Sequence, residues 1–331
     1  MKHKVIVIGN GFDIDLGLPT RYSDFVSSSI FGKLTESNEL CQYLYHRYNE
    51  CNWVDIEMCL KEYIDLRPQC DEYYKDYIEL KNALSLYLSG IDLSKINKKS
   101  FAYKMIVKYA FEGLRTYKTN DITILNFNYT NSVNFVIDDY FYKMPSIINF
   151  MGTMPYFSKH IHGNVHKNNI ILGVEDDDNI PSEYNYIKKS YDKSYRAYKN
   201  FLLTCDELIV FGHSMGETDD SFFRKFFQRQ LIGNDFPKVV SIYFKGDKGL
   251  RDLQYRLDDL TDYKLNIFRE YNSLEFIDID NNRETFIENF NETLNAIGCV
   301  LKGINEIQKA FKGTPIEKDI KRLFFKDTTK D

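Results

Sequence analysis

The chain has 331 residues, and its 43 lysines and arginines against 48 acidic residues give a net charge of −5. With no long basic block, non-specific binding to nucleic acid is not the expected task. Hydrophobic residues make up 43%, enough for a real core, which argues against wholesale disorder.

In chain order, 4–8 is a short β-branched run that stops at glycine, the pattern of a buried strand feeding a loop. It is far too short for a signal-peptide core. From Tyr22 to about Tyr117 strand signals are almost absent, and segments such as 53–66 and 71–88 show apolar residues at three- and four-residue steps. A second buried strand, 122–125, precedes Asn126-Phe127-Asn128-Tyr129-Thr130, and a helix follows through Asp138. Short strands are expected at 147–150, 160–162 and 170–172, then a helix over 184–203. Another strand, 207–211, ends at Gly212-His213-Ser214 and leads into a helix from about Asp219. Strands at 239–244 and 274–277 follow, each with a helix after it, and the charge-rich tail 317–331 is expected to fray.

Strands alternating with helices imply an α/β fold: a Rossmann-like, mostly parallel sheet with a large helical insertion after the first strand. The expected division is a nucleotide-binding core (1–25 and 119–280), the insertion (26–118) and C-terminal helices (281–331). Tyr and Phe number 25 each, which reads as aromatic packing in core and helices. No stretch reaches the roughly 20 apolar residues of a membrane span, so no membrane partner is expected. The six cysteines form no CxxC pair, so reduced thiols in a cytoplasm are expected, without a zinc knuckle or redox pair.

Gly9-Asn10-Gly11-Phe12-Asp13 follows the first strand, and glycines there let backbone approach a phosphate or ribose. As a dinucleotide fingerprint it is incomplete: the third glycine would fall at Ile14, and no second strand with an acid follows. An ordinary dehydrogenase is not expected. Further on come Gly17-Leu18-Pro19, Asn126-Phe127-Asn128-Tyr129-Thr130, His162-Gly163 and Gly212-His213-Ser214. In this order they resemble the sirtuin motifs, with His162 in the place of the catalytic histidine and Asn128 in that of the motif asparagine. Two departures stand out: Asp13 replaces a serine and Thr130 an aspartate. No four-cysteine zinc module follows His162, so a lysine deacylase is not implied.

GNGFDIDLGLPTRYSDF, Trp53 with Glu57, FNYTNS, IHGN, IILG and FGHSMGETD together resemble AbiH, a family of abortive-infection proteins, over residues 5 to about 245. The resemblances imply an anti-phage protein with NAD or a related nucleotide as substrate or ligand, no metal, and NAD glycohydrolysis as its chemistry. Asn128 would orient ribose or water and His162 would act as general base. Gly9, Asn10, Gly11, Phe12 and Asp13 would hold phosphates and ribose, with Pro19 stiffening the loop. Gly212, His213, Ser214 and Asp219 would face the adenosine side. Such a hydrolase would be toxic if always active, so control by a phage-derived trigger or by homo-oligomer assembly is expected.

Rival readings stay open. One is a sensing module that binds NAD or ADP-ribose without turnover. Another is a metal-dependent nuclease built on His160, His162, His166 and the acidic run 175–178. Gly212-His213-Ser214-Met215-Gly216 matches G-x-S-x-G, but no histidine follows Ser214, so that triad cannot be completed in its usual order. Trp53 and Glu57 lie one helical turn apart, and packing with a capping carboxylate explains them as well as catalysis does.

Overall fold

The computed structural model describes residues 3–51, 55–66, 69–115, 122–142, 157–175, 180–193, 195, 198, 200–233 and 236–282, with scattered positions between 288 and 313. Trp53, the strand expected at 147–150, the acidic positions 176–178 and the tail 317–331 fall outside them.

Among the described residues the strands are β1 (Lys4–Ile8), β2 (Ile122–Asn126), β3 (Phe157–His160), β4 (Glu207–Phe211), β5 (Val239–Phe244) and β6 (Ser273–Asp278). All pair in parallel, in the order β3-β2-β1-β4-β5-β6. This is the Rossmann-like α/β sheet the sequence implies, with its reversal of strand order between β1 and β4. Val5, Ile6, Val7 and Ile8 are fully buried, as a central strand covered on both faces requires.

Side chains alternate between two layers. Ile6, Ile8, Ile124 and Phe211 face the helices α1 (Asn10–Asp15), α7 (Phe101–Arg115) and α8 (Ser132–Tyr142). Val5, Val7, Leu125, Val210 and Ile242 face α10 (Asp220–Arg229), α11 (Gly246–Leu260) and α12 (Leu265–Tyr271). On α10, Phe222, Phe223, Phe226 and Phe227 make one apolar stripe. The short α9 (Phe201–Thr204) leads into β4.

Between β1 and β2 lie α2 (Tyr22–Val26), α3 (Ser29–Leu34), α4 (Glu39–Cys51), α5 (Ile56–Ile64) and α6 (Cys70–Ser89), which share a separate core. The last helix of this span, α7, instead packs on the sheet. No helix of the described residues is long and apolar enough to cross a membrane.

Three local expectations fail for identifiable reasons. The third strand ends at His160, so Ile161 and His162 begin a turn. Residues 170–172 form no strand: the carbonyls of Ile171 and Leu172 accept from the Tyr129 and Tyr77 hydroxyls, at 3.2 and 2.7 Å. Tyrosine side chains thus satisfy backbone that a ladder would otherwise pair. Nor is 184–203 one helix. It opens with 3₁₀ turns over Ser182–Ile187 and Lys189–Tyr191, separated at Lys188, which is extended and bridged to Val174.

Strand register puts Ile8, Asn126, His160 and Phe211 in one row. The residues that follow them therefore leave the sheet side by side, at the carboxyl ends where α/β sheets bind ligands. Beside the β1–β4 junction the backbones of the two loops touch. Gly212 has φ +66°, and a Cβ on it would lie 2.4 Å from the Phe12 nitrogen. Gly212→Ala should therefore lower stability by about 1–3 kcal/mol or more. Urea unfolding would show the midpoint falling at constant slope; an unmoved midpoint would mean the loops can separate without cost.

Candidate functional site

The loops after β1, β2, β3 and β4, together with the insertion, enclose a cavity of about 320 Å³. Gly9, Asn10, Asp13, Asn128, His162, Gly212, His213, Ser214 and Asp219 all line it, as do Asp55 and Glu57 from the start of α5. Gly11, Phe12 and Pro19 do not. Phe12 is fully buried against Phe211, and Pro19 is exposed, its carbonyl accepting from the Tyr87 hydroxyl at 2.9 Å.

The glycine segment is not an open loop: α1 starts at Asn10, with Gly9 as its cap. Gly9 N–H donates to the Phe211 carbonyl at 3.0 Å and Gly11 N–H to the Gly212 carbonyl at 2.8 Å, while Phe12 N–H returns to Gly9. Two of the amides expected to face phosphate are thus used to hold the β1 and β4 loops together, and the third closes the first turn of α1. The Asn10 side chain is tied to Thr20, donating to its carbonyl and accepting from its hydroxyl.

The two departures from the sirtuin pattern touch each other. Thr130 Oγ1 donates to Asp13 Oδ2 at 2.5 Å, and Ser132 Oγ to Asp13 Oδ1 at 2.5 Å. Asp13 is wholly buried, and that burial pushes its carboxyl up to about 6 against the pull of the Ser132 and Thr130 hydroxyls and the Asn128 side chain. Next to this clasp, Asn126 Oδ1 accepts from the Asn128 N–H at 3.0 Å and fixes the turn. The Asn128 amide nitrogen, in a side chain 5% exposed, makes no well-formed hydrogen bond among the described residues.

Opposite lies an ionic cluster around Asp219. Its Oδ1 receives His162 Nε2 at 2.8 Å and Lys189 Nζ at 2.9 Å, and its Oδ2 faces His213 Nε2 at 3.4 Å. Lys189 is fully buried, and its Nζ also donates to Glu57 Oε2 and the Thr218 carbonyl, both at 2.8 Å. Three hydrogens meet three acceptors. Burial alone would raise Asp219, yet His162 and Lys189 hold its carboxyl well below the usual range. Lys189 in turn is raised by Asp219 and Glu57 against the burial that would lower it.

These charges fix the histidine tautomers. An ionised Asp219 only accepts, so Nε2 of His162 carries the hydrogen and Nδ1 keeps a lone pair. Burial lowers His162 from its ordinary value, against the pull of Asp219, so the ring is neutral at neutral pH. In His213 the Nδ1 lone pair accepts from the Met215 N–H at 2.8 Å. Asp219 therefore backs His162 directly, which the sequence reading, with Asp219 on an adenosine side, did not foresee. Lys189 was missed altogether. Its flanking residues 188–193 are polar and give no burial signal; the Val174–Lys188 bridge turns it inward.

The described residues of the metal reading do not converge. Both nitrogens of His160 are engaged, with the Asn128 carbonyl at 3.1 Å and the Asn164 amide at 3.0 Å. His166 is exposed, and Glu175 accepts from Tyr195 and Ser221. Among the described residues no group of three or more His, Cys, Asp or Glu side chains is placed to hold a metal ion. Of the G-x-S-x-G residues, positive φ falls on Gly212 and Met215, not on Ser214.

The Asp13 clasp has a pH signature. Its folded carboxyl titrates near 6, above the unfolded value near 4, so between them the native state holds a proton that the unfolded chain lacks. The stabilisation is complete below about pH 4 and is lost as pH rises through about 6. Relative to Asp13→Asn, the wild type should lose on the order of 3 kcal/mol across that window. A difference that stays flat with pH in urea titrations would contradict the assignment.

No curated protein and no solved structure matches the chain. A family model does, over residues 5–235, a span that holds the glycine crossing, the Asp13 clasp and the whole Asp219 cluster. The chain belongs to the bacteriophage abortive infection family AbiH.

Proposed function

We propose that this AbiH protein is an NAD glycohydrolase that lowers the NAD content of the phage-challenged cell. The observation that carries the reading is the neutral His162, held through Nε2 by an ionised Asp219 in a cavity it shares with Asn128. A base needs a lone pair and a fixed orientation, and Asp219 supplies the second while leaving the first free.

The electrostatics of the cavity favour the same substrate. Asp13, Asp55, Glu57 and Asp219 line it, and no lysine or arginine is among the lining residues. Such walls suit a cation bearing hydroxyl groups better than a polyphosphate. The nicotinamide riboside half of NAD is such a cation. In this reading the half enters the cavity, and the pyrophosphate lies toward its mouth, past Gly9 and Ser214.

Hydrolysis breaks the bond between the ribose C1′ and the pyridinium nitrogen, whose electron pair stays with nicotinamide and makes it neutral. Water bonds to C1′, and its proton passes to His162 Nδ1. The products are nicotinamide, ADP-ribose and a proton. The Asn128 amide hydrogens are available to a ribose hydroxyl, which fixes the sugar without adding charge. General-base help of this kind is typically worth about 10²–10⁴-fold. Activity waits on a phage-derived trigger or on self-assembly, because constant NAD loss would kill the host.

The test is the NAD content of phage-challenged bacteria that the wild-type protein protects. NAD should fall with the wild type and stay level with His162→Ala or Asn128→Ala. Level NAD in protected wild-type cells would instead favour a module that binds NAD or ADP-ribose without turnover.

A further inference from the structure

The helical insertion contributes one group to the cavity that the reading above leaves unused. Asp55 caps α5, accepting at Oδ1 from the N–H groups of Glu57 and Met58 at 3.0 and 3.2 Å. This cap sets Glu57 on the first turn of the helix, facing the core loops rather than solvent. The residue is 5% exposed. Its Oε2 takes the Lys189 ammonium at 2.8 Å, whereas its Oε1, equally buried, has no partner among the described residues. Lys189 cannot supply one, since its three hydrogens already go to Glu57 Oε2, Asp219 Oδ1 and the Thr218 carbonyl.

A buried carboxylate oxygen without a donor is unfavourable unless something else arrives to meet it. Burial pushes Glu57 up to about 7 against the attraction of Lys189, with Asp219 and Asp55 adding to the rise. A cation entering the cavity would favour its ionised form. Packing explains the position of the side chain but not a buried oxygen left without a donor in a residue that lines the cavity with His162 and Asn128.

We propose that Glu57 is a catalytic residue, its free Oε1 turned to the ribose of a bound ribosyl-pyridinium, where it stabilises the positive charge that develops as the glycosidic bond breaks. The proposal rests on the glycohydrolase reading. In the ground state the charge sits on the pyridinium ring; as the bond lengthens it moves onto C1′ and the ring oxygen of the sugar. A carboxylate fixed at the sugar therefore stabilises the transition state more than the ground state, which is what lowers a barrier. Glu57 handles charge and His162 handles the proton of water. Lys189 and Asp219 join them through two ion pairs and the hydrogen bond to His162, so the insertion and the core each hold one half of the machinery.

Glu57→Gln is the informative variant, because an amide oxygen still accepts from Lys189. The measurements are the rate of NAD loss in lysates of phage-challenged cells that the wild type protects, and the binding of ADP-ribose to the purified full chain by calorimetry. ADP-ribose lacks the cationic ring. The expected result is a rate lower by about 10²–10³-fold with ADP-ribose affinity kept within about twofold. The wild-type rate should also rise with pH through about 7 as Glu57 ionises, and the variant should lack that limb.

Around Glu57 stand Asp55 on its own helix, Tyr22 on α2, Tyr77 on α6, Tyr129 after β2, and Lys189 and Asp219. The tyrosines and Lys189 are raised above their ordinary values, Asp219 is held well below its own, His162 is lowered and Asp55 is raised by burial. All of these remain in the variant, so the limb that Glu57→Gln removes is the one assigned to Glu57. Equal rates in wild type and variant would overturn the role of Glu57 and leave the glycohydrolase standing. Loss of ADP-ribose binding along with activity would make Glu57 a structural strut and overturn the role as well. Absence of NAD cleavage by the protective wild type would remove both readings together.

Discussion

Asp219 stays ionised although it is almost entirely cut off from water, and the site depends on how that is arranged. A buried carboxylate without partners costs several kcal/mol or takes up a proton. Here two imidazoles and an ammonium meet its two oxygens. Each partner is fixed in return: His162 in its tautomer, His213 in its ring position, Lys189 in a pocket that no water needs to enter. Lys189 then carries the constraint across to Glu57 on α5, so one ionic cluster orients the histidine and anchors the insertion over the sheet. Removing Lys189 would leave buried carboxylates with uncompensated charge, a larger penalty than the cluster's net contribution to stability.

A second constraint operates at the β1–β4 junction. Glycines after both strands let two backbones approach more closely than any Cβ allows, and the amides at that contact bond to the neighbouring loop. In dinucleotide-binding sheets the same place cradles pyrophosphate. Here the contact closes that cradle, and the cavity opens instead between the four loops and α5, where the walls are carboxylates, imidazoles and amides. The groups available at the carboxyl ends of the strands are thus carboxylates, imidazoles and amides rather than a cradle of backbone amides.

What the sequence made legible follows from the range of each signal. The central strands were readable because burial on both faces leaves a continuous apolar run, as in 5–8 and 208–211. Asn128 and Gly212 were readable because each comes just after a strand, and His162 through the His162-Gly163 pair, and strand register brings the three together. Lys189 was not, since its burial comes from a single bridge between Val174 and Lys188 whose partners are fourteen residues apart and carry no shared pattern. The segment 170–172 reads as a strand by composition, yet tyrosines from the insertion and from the β2 loop take its carbonyls. Part of the 25 tyrosines thus serves as backbone hydrogen-bond donors inside the core, a use that composition alone cannot separate from packing.

Asp13 and Thr130, the two positions that depart from the sirtuin motifs, compensate each other. Where the sirtuin pattern has serine the chain has a carboxylate, and where it has aspartate the chain has a hydroxyl. Taken one at a time, either change would put an unmatched polar group into a buried place. In the fold the two meet at 2.5 Å, with Ser132 as a second donor, so each polar group has its partner. The clasp joins α1 to the turn after β2 and holds Asn128 at the cavity wall. Both oxygens of the carboxylate already accept from hydroxyls, and the clasp places Asn128 beside it. The acidic character that a ligand meets therefore comes chiefly from the opposite wall, where a buried Glu57 oxygen has no hydrogen-bond partner among the described residues.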